Sequence, residues 1–133
     1  MRVFLDTNIL VYAFSADPKK AVAFDLLRQG GVISVQSLAE FANVARRKLR
    51  HSVPEVAENI RLLIDVLSLE GEVSLPILDA ALHLADRYKL SIHDSTLIAV
   101  ALDAGCDQFL SEDMHHGLVI EDRLTVRNPF LIA

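Results

Sequence analysis

Two patterns of apolar residues alternate along the chain. Short apolar runs bounded by turn-forming residues read as buried strands, and longer segments with apolar positions three and four apart read as amphipathic helices. The strand pattern falls at Val3–Leu5, at Val32–Val35 behind the Gly30-Gly31 break, and at Gln108–Leu110. Glu72–Leu75 is a further candidate, and Leu118–Ile120 with Leu124–Val126 adds a last strand before Asn128-Pro129 ends regular structure. Helical spacing covers Ile9–Phe14, Asp17 to about Arg28, Ser37–Leu49, Ser52–Leu69, and Pro76 to Tyr88. Asp17-Pro18 supplies a cap and a first helical proline, Ser52 and Glu55 form a capping-box pair, and Gly71 stops the helix before it. The segment His93–Ala104 differs from the rest. Leu97–Leu102 is apolar on every side, the mark of a helix enclosed all round.

Strands that alternate with helices predict an α/β domain with a central parallel β-sheet flanked by helices on both faces. This three-layer unit is expected to take in residues 1–133 as one domain, since no linker, repeat or low-complexity segment interrupts them. A hydrophobic fraction of 52% excludes disorder and supplies a core. The longest stretch without a charge, Thr7–Ala16, is about half of what a membrane-spanning helix needs. With Asp6 near the start and no signal-peptide layout, a cytoplasmic location is expected. Cys106 is the single cysteine; it can neither close an internal disulfide nor build a thiolate zinc site, and reads as a buried structural thiol.

The net charge of −5 is not the basic footprint of a duplex-binding module. It leaves a nucleic-acid substrate open, because acids filled with divalent cations present the opposite sign to phosphate. One basic run stands out, Arg46, Arg47, Lys48 and Arg50 at the end of the Ser37–Leu49 helix. Cations suit the helix dipole there, and they would also suit a rim that contacts phosphates.

The candidate chemistry lies in four acids. Asp6 and Asp113 each follow an apolar strand, and in a parallel sheet both strand ends reach the same edge, where ligands of open α/β sheets collect. Glu40 lies near the start of the helix after the second strand, and Asp94 opens the enclosed helix. Each has a capping explanation: Asp6 as an N-cap, Ser37 with Glu40 and Ser91 with Asp94 as capping boxes. Together at equivalent ends of elements, they point to a site. Clustered carboxylates repel one another and stay ionised only around a cation, and oxygen-only ligands favour Mg²⁺ or Mn²⁺ over zinc. One such ion activates water and a second stabilises the leaving oxygen of a phosphodiester. Thr7, Asn8 and Ser111 could hold waters or fix carboxylate rotamers around the ion.

At these residues the sequence resembles the PIN-domain ribonucleases, and most closely the VapC-type toxins of toxin–antitoxin pairs. The resemblance spans the chain: Phe4-Leu-Asp-Thr-Asn8, Glu40 on its helix, Leu90-Ser-Ile-His-Asp94-Ser, Phe109-Leu-Ser-Glu-Asp113 and Asn128-Pro-Phe130. It implies a PIN-like fold and a Mg²⁺- or Mn²⁺-dependent endoribonuclease that hydrolyses RNA, with Asp6, Glu40, Asp94 and Asp113 as catalytic metal ligands. It also implies a homodimer inhibited by a cognate antitoxin protein of a VapBC-type system. This chain carries His93 where the family often has an aromatic residue, and Glu112 beside Asp113 leaves the fourth ligand open between the two.

Two other readings compete. An aspartyl-phosphate phosphatase of the haloacid-dehalogenase type also opens with a strand-end Asp, but wants a second acid two residues later, where this chain has Asn8. A PIN-like scaffold that binds without catalysis would not need all four acids.

Overall fold

The computed structural model describes residues 1–131. In chain order the elements are β1 (Val3–Leu5), α1 (Thr7–Ala13), α2 (Lys20–Gln29), β2 (Val32–Ile33), α3 (Val35–Arg47), α4 (Val53–Val66), β3 (Ser68–Leu69), α5 (Leu75–Tyr88), α6 (Ile92–Asp103), β4 (Gln108–Leu110), β5 (Val119–Ile120) and β6 (Leu124–Arg127). The strands form one sheet in the order β3-β2-β1-β4-β6-β5, parallel throughout except for β5 at one edge.

Alternation along each strand divides the core into two layers. Phe4, Val32 and Phe109 face one side, against α5 and α6. Their neighbours Leu5, Ile33 and Leu110 face the other, against α1, α2, α3 and α4. Phe4 and Phe109 are register partners, and their rings stack with centroids 5.3 Å apart. The enclosed helix is α6: every residue from Ser95 to Ala101 is buried. The expected sheet with helices on both faces is therefore the fold, with Cys106 buried inside it.

Several boundaries differ from the sequence expectation. The third strand is Ser68–Leu69, not Glu72–Leu75; residues 70–74 are irregular, and the preceding helix ends at Val66. Both β3 side chains are exposed, so the strand exists through pairing, with Ser68 N–H donating to the Gly31 carbonyl at 2.8 Å. Gly71 does not stop that helix. It lies at φ +81°, where a Cβ would come within 2.5 Å of Val100 Cγ1 on α6. The tail forms an antiparallel hairpin, β5 with β6, rather than one strand. Asp17 caps a turn by accepting from Lys19 N–H at 2.8 Å, and α2 begins only at Lys20.

Candidate functional site

The carboxyl ends of β1 and β4 are level, because Leu5 pairs with Leu110. The next residues, Asp6 and Ser111, therefore meet directly. Ser111 Oγ donates to Asp6 Oδ2 at 2.7 Å, and Thr7 N–H donates to Asp6 Oδ1 at 2.7 Å. Asp6 is the N-cap of α1, yet it binds the first helical N–H rather than the second or third that a regular cap reaches. Cap and candidate ligand are thus the same side chain, held in one rotamer by two bonds.

Asp6 is only 5% exposed. Burial is the main reason that its pKa is pushed up to about 6; the bonds from Ser111 and Thr7 oppose that rise, and the charges of Asp94 and Asp113 add to it. The other acids reach the same place by different routes. Asp113 accepts from Asn8 Nδ2 at 3.1 Å, and its own N–H donates to Ser111 Oγ at 3.1 Å. Asp94 sits in the first turn of α6, where Ser91 Oγ accepts its N–H at 3.1 Å. The reciprocal bond of a capping box is absent, so the Asp94 carboxylate is not committed to the cap. Glu40 likewise forms no capping box with Ser37: the box of α3 is Ser34 with Ser37, which leaves Glu40 a turn further along.

Asp6, Glu40, Asp94 and Asp113 all line one cavity of about 590 Å³, together with Thr7, Asn8, Tyr12, Arg47, Lys48 and His93. Among the described residues, no three carboxylate, imidazole or thiol groups close on a single ion-sized point. The acids share a cavity, not a finished coordination shell. Even so, the donor set suits a hard divalent cation. It is all oxygen, its most buried member is destabilised by two like charges, and Thr7 Oγ1 is buried beside it without a hydrogen-bond partner. The alternative fourth acid is otherwise engaged. Glu112 accepts from Tyr12 Oη at 2.8 Å and from Lys19 Nζ at 2.7 Å.

That Tyr12–Glu112–Lys19 cluster was not legible in the sequence. Lys19 also lies over the rings of Tyr12 and Phe130, whose centroids are 5.1 and 5.6 Å away, and so ties the tail to the mouth of the cavity. The one available signal was Tyr12 four residues after Asn8, on the same face of α1. The supporting roles expected of Asn8 and Ser111 correspond to actual bonds that join the segment after β1 to the segment after β4. Thr7 contributes its backbone N–H instead, its hydroxyl remaining unpaired.

A three-layer α/β sheet with an acid-lined mouth at the ends of its parallel strands defines the class of protein. The chain belongs to the PIN-domain family, whose sequence profile matches residues 3–117. Among curated proteins, none gives a significant sequence match. The fold is similar to that of VapC20 from Mycobacterium tuberculosis, a sarcin-ricin-loop-cleaving toxin, with a TM-score of 0.67 and 18% identity over 80% of this chain and 86% of that one. It is also similar to a chain of a toxin–antitoxin complex from Klebsiella pneumoniae, with a TM-score of 0.72 and 21% identity over 99% of this chain and 100% of that one. A third similar structure is VapBC-1 from nontypeable Haemophilus influenzae, with a TM-score of 0.62 and 20% identity over 85% and 87%. Among the described residues no helix is long and apolar enough to cross a membrane.

Proposed function

We propose that this chain is a metal-dependent endoribonuclease acting as the toxin of a VapBC-type toxin–antitoxin pair. The observation that carries the reading is the cavity: four acids separated by up to 107 positions in sequence, Asp6 to Asp113, face one opening. Asp6, Glu40, Asp94 and Asp113 would hold Mg²⁺ or Mn²⁺, and the bound ion would supply activation of water and stabilisation of the leaving oxygen of a phosphodiester. The chain's own part is positioning. Ser111 and the Thr7 N–H fix the Asp6 carboxylate, Asn8 fixes Asp113, and Tyr12 and Lys19 occupy the oxygens of Glu112, which lines the same cavity. No protein nucleophile is needed. RNA is the proposed substrate, offered through its single-stranded loops, whose bases and backbone are accessible.

An antitoxin partner is proposed from the similarity to the toxin–antitoxin complexes, and a cytoplasmic location goes with such a pair. A homodimer is proposed from the apolar side chains that α4 and α5 leave exposed, Leu62, Val66, Leu75 and Leu82 among them. The phosphatase reading loses its support, because Asn8 serves as a donor to Asp113. The scaffold reading draws on the separation of the acids, so ion binding is the discriminating measurement. Purified protein should bind Mn²⁺ by calorimetry and cut RNA when Mg²⁺ or Mn²⁺ is added. Asp6→Asn should abolish both, with cleavage down by about 10³-fold or more. Equal cleavage by wild type and variant would refute the nuclease reading, and absence of ion binding in the wild type would leave the scaffold.

A further inference from the structure

Four of the chain's 13 basic residues, Arg46, Arg47, Lys48 and Arg50, fall within five positions at the end of α3. The other cations near carboxylates are paired: Arg2 with Glu70, Lys19 with Glu112, Arg87 with Glu121 and Lys89 with Asp86. Among the described residues none of the four at the end of α3 makes a salt bridge. Their placement separates them further. Arg46 closes the turn after α3 by donating from Nη1 to the His51 carbonyl at 3.2 Å. Arg47 and Lys48 line the acid cavity.

Helix geometry sets where they stand in it. Glu40, Val44 and Arg47 are spaced four and three apart, so they share one face of α3, and all three line the cavity. At 1.5 Å per residue, Arg47 lies roughly 10 Å along the axis from Glu40. The cations thus lie further along α3 than Glu40, and among the described residues neither forms an ion pair with it. A chain with net charge −5 keeps two cations that make no salt bridge among the described residues in the lining of the cavity that holds its four candidate acids. The helix dipole favours positive charge in the last turn, yet that effect is satisfied wherever the side chains point. Arg47 and Lys48 line the acid cavity and make no salt bridge among the described residues, a placement that suits an anion reaching beyond the acids.

We infer that Arg47 and Lys48 form a phosphate subsite, which holds an RNA backbone phosphate next to the one cut at the acid ring. The inference rests on the nuclease reading for its substrate. A ligand must then span both places, which a polynucleotide does and a lone mononucleotide does not. The subsite reads backbone and not sequence, as phosphate contacts do.

The test uses the full chain carrying Asp6→Asn, so that RNA stays intact. Binding of a fluorescein-labelled single-stranded oligoribonucleotide is followed by anisotropy across a salt series. Adding Arg47→Ala with Lys48→Ala should weaken binding by about tenfold and lower the slope of log K against log salt by about 1.4, roughly 0.7 per lost phosphate contact. In the otherwise wild-type chain, the pair should raise KM for RNA cleavage and leave kcat within about twofold, the pattern of lost uniform binding. Arg28→Ala with Arg61→Ala, which removes two cations outside the cavity, should change neither. Unchanged affinity and slope would overturn the subsite, as would a loss confined to Tm, which would mark the two residues as dipole partners only. Tighter binding of an oligoglutamate peptide than of RNA would also overturn it, in favour of a protein-docking surface. The two readings fail separately. Cleavage by the wild type with no effect of the pair sinks the subsite alone, and pair-dependent RNA binding without cleavage sinks the nuclease alone.

Discussion

The strand β1 carries a cation before it and an acid after it, and the two ends are treated in opposite ways. Arg2 finds its charge met: its guanidinium pairs with Glu70, and its backbone N–H donates to Asp107 at 2.8 Å. Glu70 responds with a pKa below the usual carboxylate range, held there mainly by the Arg2 hydrogen bond. Asp6 finds the reverse. It is buried, the charges of Asp94 and Asp113 act against its own, and its pKa rises to about 6, mainly through burial. Within three residues of strand the chain completes one electrostatic arrangement and leaves the other incomplete. A cluster that a fold does not neutralise costs stability in its charged form, and a cation from outside would offset that cost. The first end of β1 is thus matched within the fold, and the second is left with unneutralised like charges.

The comparison can be broken most severely at Asp6 itself. An acid with a raised folded pKa binds more protons folded than unfolded, so the stability that it contributes is present below about pH 3.8 and is lost as pH rises towards about 6. At neutral pH that loss amounts to about 3 kcal/mol at most. In the presence of a chelator, Asp6→Asn should therefore raise Tm above wild type at neutral pH, with the gain vanishing on acidification to about pH 4. Mg²⁺ should raise the Tm of the wild type and not of the variant. A variant less stable than wild type at neutral pH would mean that the two bonds to Asp6 outweigh its burial.

Ser111→Ala sharpens the same end with a smaller effect. It removes the donor to Asp6 and a partner of Asp113 and Asn8 at once. Metal affinity should fall by about 10- to 100-fold, as for groups that orient ligands, and calorimetry with Mn²⁺ reads this directly. The smallest effect belongs to the matched end. Arg2→Met should leave Tm close to wild type, because the pair is exposed and screened by solvent. The stability that Glu70 contributes has the opposite sign of pH dependence, present above its ordinary value near 4.5 and lost as pH falls. Cleavage by Arg2→Met should equal wild type; a marked loss would show that the two ends are coupled through β1.

The legible parts of the molecule are those whose information is local. The run Val3–Leu5, the helical spacing of the segments that became α3 and α5, and the all-round apolar α6 each announce an element through their own pattern, and the structure has them. The third strand was misplaced for the converse reason. Ser68 and Leu69 are both exposed and show no alternation; pairing with β2 makes them a strand, and contact with Val100 makes Gly71 necessary after it. Capping was misassigned at α3 because Ser34 and Ser37 both offer hydroxyls to the same turn. Only backbone geometry selects Ser34 as the cap and so frees Glu40 from that role.

From the sequence alone come the alternation of strands and helices, the enclosed sixth helix and the identity of four acids at the ends of elements, because periodicity and capping are written within a few residues of one another. The tertiary structure decided which charges meet. It set Asp6 against Ser111, 105 positions away, engaged Glu112 with Lys19, 93 positions away, and put Arg47 and Lys48 in the lining of the cavity that holds the acids. Such pairings depend on strand order and register, which arise from packing the whole chain, and no short stretch of it encodes them.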